Sequence, residues 1–259
     1  MLQTVDYERR FGGVSRLYGT DGAHAIANTH FIVVGVGGVG SWAVESLVRT
    51  GAERITLIDL DNVAESNVNR QIQALGDTFG KAKVHVLSER ATLINPRLKI
   101  TAIEEFVDEE NVTELIPSGA VVLDCIDQVR AKAALITHCK KIGNFIITSG
   151  AAGGRTDPSC IKSGDLARLK GDPLLSNVRY RLRKAFGFPK AGTKNQPLPF
   201  KITAVYSDEP VRRPLGQSCN SVQTSGLACS GYGSGVVVTA SMGMRIASIA
   251  INHVVPSHY

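Results

Sequence analysis

Apolar residues in this chain fall into short unbroken runs that alternate with stretches of helical periodicity. The run at 31–35, "FIVVG", is apolar throughout, as a strand covered on both faces of a parallel sheet must be. It enters "GVGGVG", and "SWAVESLVRTG" then reads as a helix stopped by Gly51. "RITLID" returns as a second strand ending at Asp59, and a polar stretch separates it from a helix predicted over 83–94, after Gly80. Further on, the pattern predicts a third strand over 99–106, a helix near 109–116, a strand over 120–123 and a helix from near Arg130. "NFIITSGAAGG" (144–154) is another buried strand entering a glycine-rich loop. Strands and helices in strict alternation specify an α/β chain with a doubly wound, mostly parallel sheet.

The first turn carries chemistry. Gly35, Gly37 and Gly40 satisfy G-x-G-x-x-G between a strand and a helix, where glycine lets backbone approach phosphate. Asp59 lies 19 residues beyond Gly40, placed to accept hydrogen bonds from ribose hydroxyls. The fold class is therefore Rossmann-like, and a nucleotide is its expected ligand. The chain after Asp59 departs from a nicotinamide site: Arg70 comes after Asn67 and Asn69, and Lys83 stands 13 residues later. Each cation alone reads as a surface charge, but two near a glycine loop suit a triphosphate. A nicotinamide dehydrogenase is disfavoured on that ground, and a non-catalytic nucleotide-binding module stays open. Asp127 comes after the strand at 120–123, at the end of the sheet where ligands bind, and could hold Mg²⁺. Its alternative role is the N-cap of the next helix.

Composition refines this picture. With 259 residues, 43% of them hydrophobic, the chain can bury a full core as one domain. Its first residues, "MLQTVDYERRFGG", have no apolar stretch, so the cytoplasm is the expected location. Five cysteines without a C-x-x-C pair point to reduced thiols rather than disulfides or a zinc site. The net charge of +6 is local: between Arg155 and Arg213 there are 13 Lys/Arg against 5 Asp/Glu. Such an excess suits a polyanion, or simply a solvated face. Within it, "GDPLLSNVRYRLRKAFG" places Asp172 at a helix N-cap and Pro173 at the first helical position. Leu174, Val178, Leu182 and Phe186 share a stripe, with Arg179, Arg183 and Lys184 tending to the solvent side, a candidate contact for a polyanion's backbone. The stretch 188–199 is expected to be a loop over the substrate. The apolar run 235–255 is long enough for a bilayer but holds Arg245 at its middle. A buried helix, in the core or at a dimer interface, is preferred, with peripheral membrane association left open.

Four motifs in order, "GVGGVGSWAVESLVRTG", "LIDLDNVAESNVNRQ", "GKAK" and "DCIDQ", resemble those of the ubiquitin-activating, E1-type adenylating enzymes over about residues 9 to 155. The resemblance implies ATP binding by Gly35, Gly37, Gly38 and Gly40 at the phosphates, with Asp59 on the ribose. Asp61, Asn67, Asn69, Arg70 and Lys83 would surround the nucleotide, and Asp127 would hold Mg²⁺; a monovalent cation is a further expectation. It also implies a homodimer in which an arginine, Arg10 of "ERRFGG" or else Arg16, reaches the partner's site. Catalytic roles then fall to Arg70, Lys83, Asp127 and Arg10.

"RRFGGVSRLYG", "GGRTDPSCIKSGDLARLKGDPLL", "VRYRLRKAFGFP", "VYSDEP" and "CSGYGSGVVVTASMG" are similar to segments of the tRNA threonylcarbamoyladenosine dehydratases, over essentially the whole chain. That resemblance implies ATP-dependent cyclisation of a threonylcarbamoyl-modified adenosine beside the tRNA anticodon, through an acyl-adenylate. Residues 156–215 would form a basic substrate-binding elaboration and 216–259 a closing strand and helix. An E1-like enzyme for a sulfur-carrier protein is the alternative, weakened by the missing C-x-x-C pairs. A cysteine desulfurase or sulfur acceptor is a further candidate partner. The mechanism requires no enzyme nucleophile; Cys219 and Cys229, in a Ser/Gly-rich stretch, are the thiols whose role stays open, and Cys125 is expected to be packed.

Overall fold

The computed structural model describes residues 5–190, 197–212 and 232–256. It opens with a helix that periodicity does not announce, α1 (Tyr7–Asn28). Glycines at 12, 13, 19 and 22 weaken its helical signal, and Gly19 leaves helical geometry at φ 73°. The Asp6 carboxylate caps α1 by accepting the Arg9 N–H at 3.0 Å. The described elements after it are β1 (Phe31–Val34), α2 (Gly40–Arg49), β2 (Arg54–Ile58), α3 (Lys83–Ile94), β3 (Lys99–Ile103), α4 (Val112–Leu115) and β4 (Val121–Asp124). Next come α5 (Val129–Ile142), β5 (Phe145–Ser149), β6 (Ile161–Asp165), α6 (Pro173–Ala185), β7 (Thr203–Ser207) and α7 (Val236–Val254).

The seven strands form one sheet in the order β3-β2-β1-β4-β5-β7-β6, parallel except for β6 against β7. Phe31 pairs with both Ile55 and Val121, so β1 is central and the strand order reverses between β1 and β4. Side-chain alternation divides the core. Phe31 and Val33 pack into one cluster with Leu47, Leu87 and Ile246, whereas Ile32 and Val34 face Leu135, Val178 and Leu182 on the other side. β3 ends three residues before the sequence pattern does, because β2, its partner, ends at Ile58 opposite Ile103. The helix expected near 109–116 is a single turn, and β4 reaches one residue further than predicted, to Asp124.

α7 accounts for the long apolar run, with one face in the core and Arg245 outside, donating to the Ser163 hydroxyl at 3.0 Å. Among the described residues no helix is long and apolar enough to cross a membrane. α7 packs closely on α2 at Gly243, where an added Cβ would stand 2.3 Å from the Val39 carbonyl oxygen and 2.9 Å from the Ala43 nitrogen. Gly243→Ala must push the two helices apart, and a cost of about 2 kcal/mol or more is expected. Thermal unfolding of the variant checks this; an unchanged melting temperature would show that the crossing tolerates a methyl group.

In the 188–199 stretch, residues 191–196 lie outside the described residues, while Phe188 is buried edge-on to Phe200 at 4.9 Å. Phe186 ends the apolar stripe of α6 as its C-cap. The 216–231 part of the C-terminal stretch, with Cys219 and Cys229, also lies outside them.

Candidate active site

A cavity of about 440 Å³ opens at the carboxyl ends of the strands, between the turn after β1 and the turn after β4. Gly35 requires its glycine: its φ is +82°, and a Cβ would meet the Cys125 backbone at 3.0 Å. Gly37 and Gly38 line the cavity. Gly40 does not; its bare Cα lets α2 start against β1, where a Cβ would lie 1.9 Å from the Gly35 carbonyl oxygen.

Asp59, at the end of β2, is buried and accepts the Val36 N–H at 2.8 Å and the Asp61 N–H at 2.9 Å. Each oxygen keeps a lone pair for a ligand hydroxyl. Burial raises its pKa, against the pull of Lys83 and the two N–H groups. Lys83 opens α3 as a buried side chain whose ammonium lies 2.7 Å from the Asp61 carboxylate. The surface-charge alternative is thereby removed for Lys83. Arg70 passes its stem over Gly38, whose added Cβ would meet Arg70 Cγ and Cδ at 3.3 Å. Its guanidinium donates to the Ser66 carbonyl at 2.8 Å and to Asn69 Oδ1 at 2.9 Å. The Trp42 indole N–H donates to the Arg70 carbonyl at 3.0 Å, tying this segment to α2.

Asp127 lines the cavity from the turn after β4. It is not the cap of α5; Gln128 holds that position and makes no side-chain cap bond. The carboxylate thus has no protein partner among the described residues, which suits a cation. Those residues hold no cluster of three or more His, Cys, Asp or Glu able to take a metal. An ion at Asp127 would draw most of its oxygens from phosphate and water, as Mg²⁺ commonly does.

Of the other expected residues, Asn67 lines the cavity, its side-chain oxygen accepting the Ala64 N–H at 3.0 Å. Asn69 is exposed and does not line the cavity; it donates to the Ser234 carbonyl at 2.7 Å. Arg10 is outside the cavity of its own chain and donates to the Leu93 and Ile94 carbonyls at the end of α3, at 3.2 and 2.9 Å. Arg16 is exposed on α1.

Several wall residues escape sequence reasoning. Phe106 and Val107 lie just after β3, Thr239 comes from α7 and Leu174 from the first turn of α6. Gln73 is buried and donates to the Val36 carbonyl at 2.8 Å, bracing the glycine loop from 37 residues away. In the sequence it is one of many polar residues in the stretch after Asp59 and carries no signal of its own. The loop after β5, 150–153, is held by a fully buried pair: Arg155 Nη2 lies 3.3 Å from Asp172, which also accepts the Ala151 N–H at 3.0 Å. Asp172 is, as its position before Pro173 predicts, the N-cap of α6, accepting the Leu175 N–H at 2.9 Å.

Cys125, Cys139 and Cys160 are free thiols. Cys125 touches the cavity, yet burial pushes its pKa up to about 12. Peptide-resolved iodoacetamide labelling at pH 8 should find Cys125 far slower than an exposed thiol. Rapid labelling there would reopen a nucleophilic role.

A glycine loop, two cations and an unpartnered carboxylate converge at the switch point of a doubly wound sheet, an arrangement that suits a nucleoside triphosphate. The chain belongs to the ThiF family, whose model matches residues 7–244. It is 41% identical over 254 residues to the tRNA threonylcarbamoyladenosine dehydratase of Haemophilus influenzae, covering 97% of this chain and 95% of that protein. Among solved structures it is similar to the Escherichia coli tRNA N6-threonylcarbamoyladenosine dehydratase TcdA in complex with ATP, with a TM-score of 0.86, 39% identity, and 98% and 97% of the two chains covered. The molybdopterin-synthase adenylyltransferase of Salmonella typhimurium is 33% identical over 150 residues, covering 58% of this chain and 59% of that protein.

Proposed function

We propose that this protein is an ATP-dependent dehydratase that cyclises N6-threonylcarbamoyladenosine in the anticodon loop of tRNA. The observation that carries this reading is the near-complete structural correspondence with TcdA in complex with ATP, in a chain whose own cavity gathers Gly38, Arg70, Lys83 and Asp127. The correspondence spans 98% of this chain, whereas the adenylyltransferase matches 58% of it.

The chemistry is dictated by the substrate. A carboxylate is a poor electrophile because it would have to expel oxide. In-line attack of the threonyl carboxylate oxygen on the α-phosphorus of ATP forms a P–O bond and releases pyrophosphate, giving an acyl-adenylate. The carbamoyl group of the same substituent then attacks the acyl carbon, closes the ring and releases AMP, with intramolecularity supplying effective concentration. The net change is loss of one water from the nucleoside. Asp59 binds the ribose, while Arg70 and Lys83 stabilise charge on the phosphates as pyrophosphate departs. Asp127 would hold Mg²⁺, which would neutralise phosphate charge. Arg10 serves the partner's cavity in a homodimer, residues 156–215 receive the tRNA, and the enzyme works in the cytoplasm.

Nucleoside mass spectrometry on threonylcarbamoyl-modified tRNA, incubated with the protein, ATP and Mg²⁺, tests the reading together with an AMP assay. Loss of one water matched by AMP is the expected result. An unchanged nucleoside, with AMP release stimulated by a diglycine-tailed carrier protein, would overturn it.

A further inference from the structure

Within the basic excess between Arg155 and Arg213, α6 presents a defined outward face. Leu174, Leu175, Val178 and Leu182 form its buried stripe. By the 3.6-residue period Tyr180 lies opposite that stripe, with Arg183 and Lys184 beside it. Tyr180 is 64% exposed, and the Lys184 ammonium sits 5.6 Å from its ring centroid. An exposed aromatic ring among cations is a surface that a nucleic acid can use, because every base offers a π-face.

The charges on this face are largely uncompensated. From Pro173 to Ala185 the helix carries no acid. Arg181 pairs with Glu109, but Arg179, Arg183 and Lys184 have no carboxylate partner within salt-bridge distance among the described residues. Arg183 donates instead to the Pro189 carbonyl at 3.1 Å and lies 5.2 Å from the Phe200 ring. Arg179 Nη1 is buried without a hydrogen-bond partner. Burial and the neighbouring Arg183 lower the pKa of Arg179, against the pull of Asp172.

The helix is also in fixed register with the cavity. Leu174 lines the cavity wall, and Asp172, locked to Arg155 and the Ala151 N–H, fastens the first turn to the 150–153 loop. Tyr180 stands six residues, about 9 Å of helix rise, beyond Leu174.

We infer that the outward face of α6 is the surface on which tRNA docks, with Arg183 and Lys184 taking backbone phosphates and the Tyr180 ring stacking on an unpaired base near the reacting nucleoside. The inference rests on the tRNA-modifying reading above and assigns that substrate its place on the chain.

Fluorescence anisotropy of a labelled tRNA transcript, titrated with full-length protein across a salt series, tests it without relying on turnover. Tyr180→Ala should weaken binding about tenfold and Tyr180→Phe should restore it. Lys184→Glu should weaken binding and lower the salt slope by about one unit. Lys99→Glu, the same charge change on exposed edge strand β3, should leave both near wild type. Thermal unfolding and ATP binding of each variant establish that the fold and the cavity are intact. Wild-type binding by both Tyr180→Ala and Lys184→Glu would overturn the surface assignment, as would an equal loss in Lys99→Glu or a wild-type protein that does not bind tRNA. A wild-type protein that binds tRNA through α6 yet leaves the modified nucleoside unchanged would sink the dehydratase reading alone.

Discussion

Asp127→Asn is expected to lower the rate of AMP formation by at least about 100-fold while leaving the affinity for metal-free ATP within about threefold. The substitution keeps size and removes charge. Asp127 faces the cavity with no protein hydrogen bond among the described residues and does not cap α5, so the fold asks nothing of its negative charge. Whatever the charge does, it does for a ligand. If it holds Mg²⁺ against the phosphates, removing it withdraws stabilisation where charge develops as pyrophosphate leaves. ATP still meets the glycine loop, Arg70 and Lys83. Equilibrium dialysis with labelled ATP, with and without Mg²⁺, separates binding from turnover measured as AMP. A variant with wild-type turnover would remove Asp127 from the catalytic set, and one that loses metal-free ATP binding would make it a nucleotide contact.

Lys132→Met should destabilise the protein by about 3–5 kcal/mol, the cost of stranding a buried charge. Lys132 and Asp124 are both 0% exposed, with Nζ 2.9 Å from Oδ1. The other Asp124 oxygen accepts the Thr148 hydroxyl at 2.6 Å, and Oδ1 also accepts the Ile126 N–H at 3.2 Å. This carboxylate therefore clamps β5 to the very turn that presents Asp127. Without Lys132 it is left with neutral donors only, in a fully buried site. For a chain of this size the melting temperature should fall by roughly 10 °C. The double variant with Asp124→Asn should recover part of the loss, because no buried charge remains. Chemical denaturation across the double-mutant cycle checks both statements. Equal losses in the single and double variants would show that packing of the lysine stem, rather than the ion pair, supplies the stability.

Local pattern sufficed for much of the site. Gly35, Asp59, Arg70 and Lys83 were legible because a strand, a turn and a helix place them within one βαβ unit and its continuation, where sequence spacing approximates distance in space. Asp127 was legible because parallel strands share one carboxyl edge. The pairings of these residues were not legible. That Asp61 takes the Lys83 ammonium depends on how the 60–82 segment folds back, through the Asn62 to Ala82 bridge, onto the start of α3. α1 was missed because its glycines dilute the helical period.

The sequence by itself determined the alternation of strands and helices and the cap at Asp172, since each arises from contacts among neighbouring residues. Tertiary structure alone decided which distant groups complete the cavity. Gln73 reaches back 37 residues to the glycine loop, Arg155 meets Asp172 across 17, and Thr239 arrives from the last helix. None of these contacts leaves a periodic trace, because a buried polar group is satisfied by whatever donor or acceptor the packing brings to it, and packing is a property of the whole chain.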